Sequence, residues 1–382
     1  MASDPLVLVL NAGSSSLKLA LISATGERPL NLSLGLEAMA PSALAALLAP
    51  WRQRITLVGH RVVHGGERFT APTRLDDASQ AEVLAALEAL VPLAPLHNGP
   101  ALALIRWCLE AIPQPQWACF DTAFHSTLPE AARTYALPAH WRQQGLRRYG
   151  FHGLNHAHVA AVVAEHHCRQ QVEAGHSSRP IRLISAHLGA GCSLAAILDG
   201  RCLDTTMGYT PMEGLVMASR SGSLDPGLIL HLLEQGLGVA ELRAALNEQS
   251  GLLGLSGLSG DWRRLGAAAS EGHRGARLAL TVFEHRLLQG IGAMAASLGG
   301  VDVLALSGGI GANDPALAAS LAQRLSWLGP PRLLQVPADE EGMIARLVQA
   351  AAAGEAGTPV VSRDRADQES GEAADSGAGD RR

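Results

Sequence analysis

The sequence predicts an α/β protein built from two related halves, and three observations carry that prediction. Strand-length apolar runs alternate with helix-length patterns along most of the chain. The run 6–10, the turn 11–16, the run 17–22 and Thr25-Gly26 are matched much later by 182–186, 187–193, 194–198 and Asp199-Gly200. A third short run, 301–306, feeds another glycine-rich turn, Ser307-Gly308-Gly309-Ile310-Gly311-Ala312-Asn313. Two similar strand–turn–strand units far apart in one chain predict two halves with a ligand between them.

The first turn is Asn11-Ala12-Gly13-Ser14-Ser15-Ser16-Leu17-Lys18. Leu17, Leu19 and Leu21 alternate, so a strand follows the turn. That argues against a P-loop, whose lysine opens a helix. Lys18 is the only lysine; every other basic residue is an arginine. A compact cation beside small residues that let backbone N–H groups approach an anion is a phosphate site. Helical patterns are predicted at 78–90, 99–109, 156–173, 226–235, 239–247 and 274–297. From about residue 362 the chain has no apolar periodicity and is expected to be disordered.

Composition sets outer bounds. A chain of 382 residues that is 47% hydrophobic is long enough for two cores. A net charge of −5 advertises no nucleic-acid surface, and no apolar run is long enough for a membrane span. Residues 6–10 are too short, and lack a preceding basic residue, for a signal peptide. Five cysteines without a C-x-x-C pair suit reduced thiols in a cytoplasmic protein.

Reactive side chains concentrate in five segments: 59–68, 94–98, 120–125, 147–156 and 204–226. Four of the six asparagines (Asn11, Asn98, Asn155, Asn313) fall in these segments or the glycine-rich turns. His60, His64, His97, His125, His152, His156 and His187 have no H-E-x-x-H context and share no spacing with cysteine, which argues against zinc. Asp121, at a predicted strand end, reads either as a turn cap or as a holder of Mg2+.

Together the segments N-A-G-S-S-S-L-K, G-H-R-V-V-H-G-G-E, F-D-T-A-F-H, R-R-Y-G-F-H-G and M-G-Y-T-P-M-E-G-L resemble the acetate kinase (acetokinase) family of the actin-like, sugar kinase and heat-shock ATPase superfamily. The resemblance runs from about Leu6 to Ala345. It implies two duplicated actin-like (ribonuclease H-like, βββαβαβα) domains with an interdomain cleft, usually as a homodimer. The expected division is 1–122 plus 342–365, then 123–341, then a disordered tail at 366–382. It implies reversible phosphoryl transfer from ATP to acetate, giving acetyl phosphate and ADP, with Mg2+ or Mn2+.

The resemblance also implies site residues. Arg61, Asp121, His152 and Arg220 match catalytic positions, with His97 and His187 in support. Arg61, Val63, Leu96, Phe151 and Pro211 match the acyl site. Asn11, Ser14, Ser16, Lys18, Gly189, Gly191, Asp261, Trp262, Arg263, Gly309, Gly311 and Asn313 match phosphate and nucleotide positions. Asn11, Asp121 and Glu340 match the metal positions. A carboxylate acceptor is already ionised at neutral pH, so such a site needs positioning and charge neutralisation rather than a general base.

The sequence departs from the family pattern in places. Ala190 replaces an asparagine in H-L-G-N-G, and Ala312 replaces the glutamate of G-I-G-E-N. Ser223 stands at the first aspartate of G-D-I-D-P, and Leu154-Asn155 replace T-S in F-H-G-T-S-H. Residues 31–53 form a shorter stretch than the family usually has. Alternatives therefore stay open: propionate or butyrate as acceptor, pyrophosphate or GTP as donor, or a non-catalytic nucleotide-binding protein of actin type.

Overall fold

The computed structural model describes residues 4–13, 16–35, 40–174, 180–329 and 331–354. Ser14 and the predicted tail lie outside the described residues.

The first hairpin is β1 (Leu6–Ala12) and β2 (Ser16–Ser23), extended by β3 (Leu30–Gly35). Beyond β1 the sheet continues through β4 (Ile55–Val62) and β6 (Gln116–Phe120) to the two-residue edge strand β5 (Thr73–Arg74), in the order β3-β2-β1-β4-β6-β5. The second sheet has β7 (Arg182–Leu188), β8 (Cys192–Leu198), β9 (Arg201–Thr205), β10 (Val303–Ser307) and β11 (Arg332–Gln335), in the order β11-β10-β7-β8-β9. In each sheet three antiparallel strands meet two parallel ones across β1 or β7. Strands β7 to β11 thus repeat the pairing of β1, β2, β3, β4 and β6. This is the duplication expected from the sequence.

Side-chain alternation decides which layer each strand face joins. Leu6, Leu8 and Leu10 point outward, under helix α1 (Pro95–Ala111), with Leu104 and Cys108. Val7 and Val9 point inward, into a core shared by both sheets. That core holds Val159, Ala160 and Val163 of helix α2 (Gly153–Ala174) and Leu183 and Ile197 of the second sheet. It also takes Met343, Ile344 and Leu347 of a helix late in the chain. Helix α4 (Arg274–Leu298) covers the outer face of the second sheet, where Phe283, Leu287 and Ile291 are buried, and helix α3 (Trp262–Ser270) packs on α4. The late helix, α5 (Glu340–Ala352), packs on β1 and β4 and against α2.

Helix α1 starts four residues before the predicted 99–109. Pro95 occupies its first turn, where a missing N–H costs nothing. Asn98, just before the predicted helix, is buried and exchanges hydrogen bonds with the backbone of His64 at 3.0 and 3.1 Å. No helix among the described residues is long and apolar enough to cross a membrane.

The contact between α5 and β4 depends on Gly59. A Cβ there would lie 2.6 Å from Ile344 Cγ2 and 2.9 Å from a Val348 methyl. Gly59→Ala is therefore expected to lower stability by about 1–3 kcal/mol, the usual cost of overpacking. Urea unfolding measures it; an unchanged midpoint would contradict this packing.

Candidate active site

The hairpin tips of both sheets, the ends of β4 and β6, and the starts of α1, α2 and α5 converge between the sheets. Asn11 lies directly across from Lys18 in the β1–β2 ladder. Arg61 is near the end of β4, Asp121 follows β6, and Glu340 and Glu341 open α5. Asp339 caps that helix by accepting from Gly342 N at 2.9 Å.

These residues form one network. Arg61 donates from Nε to Asp121 Oδ1 at 3.1 Å and from Nη2 to Asp121 Oδ2 at 2.5 Å. Its Nη1 donates to Asn11 Oδ1 at 3.0 Å. The Asn11 amide donates to Glu341 Oε1 at 2.7 Å and to Glu340 Oε2 at 3.3 Å. Lys18 Nζ is 3.6 Å from Glu341 and 4.0 Å from Glu340. Burial opposes charge on Arg61, but the Asp121 and Glu340 carboxylates outweigh it and raise its pKa. Burial likewise opposes the Glu340 charge, and Arg61, His187 and Lys18 reverse that and lower it. Burial pushes the Asp121 carboxyl up against the pull of Arg61. Its two-point contact with a cation that does not lose its proton is that of a carboxylate.

The opposite wall is built from histidines. The backbone turns sharply at His152, whose φ is +56°. Gly153 follows, donating N–H to the Asp121 carbonyl at 2.9 Å, an approach that leaves no space for a Cβ. This ties the start of α2 to the end of β6. The His152 ring stacks on His187 with centroids 4.2 Å apart. A Cβ on Gly191 would lie 2.9 Å from His152 Nε2 and 3.7 Å from Arg220 Nη1, so the glycine lets the second hairpin close on both. Arg220 Nη1 donates to the Pro211 carbonyl at 2.9 Å. It has no carboxylate partner among the described residues, and burial lowers its pKa from the ordinary arginine value. His97 is depressed to about 4 by burial and then by the Arg61 and Arg220 charges.

Other predicted residues fall into two groups. Val63 and Phe151 are buried in one cluster with Ala94, close to the start of α1. Leu96 is 59% exposed and stays outside that cluster. Asp261 caps α3 by accepting from Arg264 N at 2.9 Å, and the Arg263 side chain is almost fully exposed. Trp262 Nε1 donates to Asp314 Oδ2 at 2.5 Å, which brings the start of α3 beside Gly309, Gly311 and Asn313. Asn313 Nδ2 in turn donates to the Gly309 carbonyl at 3.1 Å. A Cβ on Gly189 would lie 3.8 Å from Gly309 N, so the second hairpin tip and this turn adjoin. Ser16 begins β2 and accepts from Gly13 N through its carbonyl at 2.8 Å.

Sequence reasoning missed Glu341, a neighbour of Glu340 that takes the shorter bond from Asn11. It also missed Arg148. That guanidinium donates to the carbonyls of Thr205, Thr206 and Met207 at 3.0–3.1 Å and to Glu213 at 2.9 Å, bracing the loop that leads to Pro211. Two departures from the family pattern have local structural roles. Ser223 Oγ accepts from Gly214 N at 3.1 Å. Buried Asn155 accepts from Ser307 Oγ at 3.2 Å, linking α2 to β10.

The acidic side offers oxygen donors of the chemical type a hard divalent cation takes, although no three His, Cys, Asp or Glu side chains among the described residues are grouped closely enough to hold an ion by themselves. Three carboxylates (Asp121, Glu340, Glu341) face two cations (Arg61, Lys18). One negative charge is left over, among oxygen donors of the type Mg2+ prefers.

Comparison with known proteins finds relatives over most of the chain. The Acetokinase family profile matches residues 31–332. The acetate kinase of Deinococcus deserti is 45% identical over 85% of this chain and 86% of its own length. That of a Synechococcus species is 52% identical over 74% of this chain and 68% of its own. Porphyromonas gingivalis acetate kinase superposes with a TM-score of 0.79 at 33% identity, over 91% of this chain and all of that one. A Francisella tularensis propionate kinase gives 0.79 at 31%, over 90% and 99%. The chain belongs to the acetokinase family.

Two outcomes are expected of the folded protein. Asp121→Ala leaves Arg61 buried with less compensation and should cost about 3–5 kcal/mol in the ligand-free protein; a loss under about 1 kcal/mol by urea unfolding would contradict the buried pair. His60, His64, His97 and His125 are all held near 4, chiefly by burial. As pH falls, the unfolded chain takes up their protons first. Stability should therefore decline from about pH 6.5 toward 4, by up to about 1.4 kcal/mol per pH unit per histidine. Equal stabilities at pH 7 and 5 would contradict their burial as neutral rings.

Proposed function

From membership of the acetokinase family, we propose that this protein transfers the γ-phosphoryl group of ATP reversibly to acetate, forming acetyl phosphate and ADP. The observation that carries the reading is the pairing of two half-buried arginines with one histidine. Arg61 projects from the first sheet's side and Arg220 from the second's, and His152 Nε2 and Arg220 Nη1 both close on Gly191.

The chemistry follows from these groups. Acetate arrives ionised, so the site has no alcohol proton to remove. A sugar kinase would need a free carboxylate for that proton, whereas Asp121 is engaged at two points by Arg61. Arg220, with no carboxylate partner among the described residues, is the cation available to the acyl carboxylate and the migrating phosphoryl group. His152, held neutral by burial and neighbouring positive charge, donates a hydrogen bond to that group without adding a formal charge. Arg61 supplies the second guanidinium, and Lys18 supplies charge beside the first hairpin tip. Asn11, Asp121 and Glu340 are the residues proposed to hold Mg2+, which when bound supplies charge neutralisation for the polyphosphate. Val63 and Phe151 give the acyl methyl an apolar wall. Asp261, Trp262 and Arg263 with Gly309 and Asn313 form the proposed adenosine side. A homodimer is proposed with this activity.

Propionate is the second reading, because a propionate kinase superposes as well as an acetate kinase does. The higher identities, 45% and 52%, belong to acetate kinases, which favours acetate.

Trapping acyl phosphate with hydroxylamine decides between these. Acetate should give more hydroxamate than propionate or butyrate, and ATP more than GTP or pyrophosphate. No product from any donor–acceptor pair would sink the proposal. Arg220→Ala should lower kcat/KM by about 10²–10⁴-fold. With no titrating base, and His97 neutral above about pH 4, kcat/KM should stay flat from roughly pH 6 to 8.5. A bell centred in that range would contradict the mechanism.

A further inference from the structure

Behind His152 lies a chain of buried polar groups that the reaction as described does not use. His152 Nδ1 is 2.9 Å from Ser193 Oγ. The same oxygen is 2.8 Å from His156 Nε2. His156 Nδ1 is 2.9 Å from Ser185 Oγ. Ser185, Ser193 and His156 are all 0% exposed. Each link joins different elements: α2 carries His156, β8 carries Ser193, and β7 carries Ser185.

We propose that Ser193 and His156, anchored by Ser185, are positioning residues that hold His152 as the tautomer with its proton on Nε2, facing the reacting phosphoryl group. The proposal rests on the phosphoryl-transfer reading of the site.

Both rings are neutral, because burial first, and then neighbouring imidazoles, hold them well below the ordinary histidine value. A neutral imidazole has one donor and one acceptor, and a serine hydroxyl has one donor. Four groups in a row can therefore be oriented in three ways. The one in which Ser193 accepts from both rings strands its own fully buried hydroxyl hydrogen, which has no third partner among the described residues, and so two remain. In the first, Ser185 O–H donates to His156 Nδ1, and His156 Nε2–H donates to Ser193 Oγ. Ser193 O–H then donates to His152 Nδ1, and the one spare hydrogen is His152 Nε2–H at the open end. In the second, every arrow reverses. His152 Nδ1–H donates inward, and the spare hydrogen is the Ser185 hydroxyl's.

Only the first arrangement is satisfied. Ser185 Oγ has no second partner among the described residues, so the reversed chain strands a hydroxyl hydrogen in a fully buried position. The first arrangement also ends in a donor where a phosphoryl oxygen, which can only accept, will sit. Buried polar groups at the back of the site thus select the state of the ring at the front.

Two readouts test this. The first uses the ligand-free protein with 15N-labelled histidine, with His152 and His156 assigned by loss of their signals in His152→Gln and His156→Gln. Long-range 15N–1H spectra should show both rings with the proton on Nε2. In Ser193→Ala, His152 should become a mixture of tautomers. Finding His152 protonated on Nδ1 in the wild type, or unchanged in Ser193→Ala, would overturn the proposal. The second is kinetic. Ser193→Ala should lower kcat by about 10–100-fold, with KM for acetate and MgATP within about 3-fold. Ser193→Thr, which keeps the hydroxyl, should recover most of that loss. Wild-type kcat in Ser193→Ala would also overturn it. The spectra need no turnover, so a wild-type protein that makes no acetyl phosphate would refute the functional reading, and the tautomer would still be decided.

Discussion

The buried contact between Arg61 and Asp121 organises the site. A guanidinium and a carboxylate brought out of water at the ends of two neighbouring strands must satisfy each other or be neutralised. Arg61 does this at two points and extends a third bond to Asn11. Asn11 passes the connection to the start of α5 through Glu341 and Glu340. Asp121 passes it to the histidine wall through its backbone carbonyl, which receives Gly153 N–H. One ion pair thereby fixes the relative positions of β1, β4, β6, α2 and α5. The surplus negative charge left by the network is what a divalent cation and its polyphosphate would use.

The duplicated fold has diverged at equivalent positions of its two hairpins. In the first, Asn11 and Lys18 face each other across the ladder. In the second, the corresponding pair is His187 and Ser193. The first pair is polar and cationic and works with carboxylates. The second is neutral and works with His152 and His156. The same backbone geometry thus presents one charged and one uncharged wall to the cleft. That division suits a reaction in which acidic groups hold a metal on one side and hydrogen-bond donors meet the migrating group on the other.

Much of the fold was legible in the sequence. The alternation of Leu17, Leu19 and Leu21 identified a strand rather than a P-loop helix, and the recurrence of the hairpin pattern revealed the duplication. Segments rich in histidine, arginine and asparagine marked the cleft, since such residues rarely cluster at surface turns without a partner. The singular lysine pointed to the first tip, although it is half exposed and faces Glu340 and Glu341. Other features left no local signal. Glu341 looks like an ordinary first-turn acid of a helix, and its tie to Asn11 spans 330 residues. Ser193 and Ser185 are unremarkable strand serines until β7 and β8 bring them to His156. Leu96, expected in the acyl pocket, lies exposed in the first turn of α1 beside Pro95.

The central claim is that Arg61, Arg220 and His152 converge on one transferring phosphoryl group, with acetate on the apolar side and the nucleotide on the other. The most direct measurement is a crystal structure of the protein with MgADP, acetate and aluminium fluoride. The account predicts a planar fluoride species between ADP and acetate. Both guanidinium groups and His152 Nε2 should lie within hydrogen-bond distance of it, with the metal on the side of Asp121 and Glu340. Fluoride bound away from His152, with Arg220 still held on the Pro211 carbonyl and acetate outside the Val63–Phe151 wall, would contradict it.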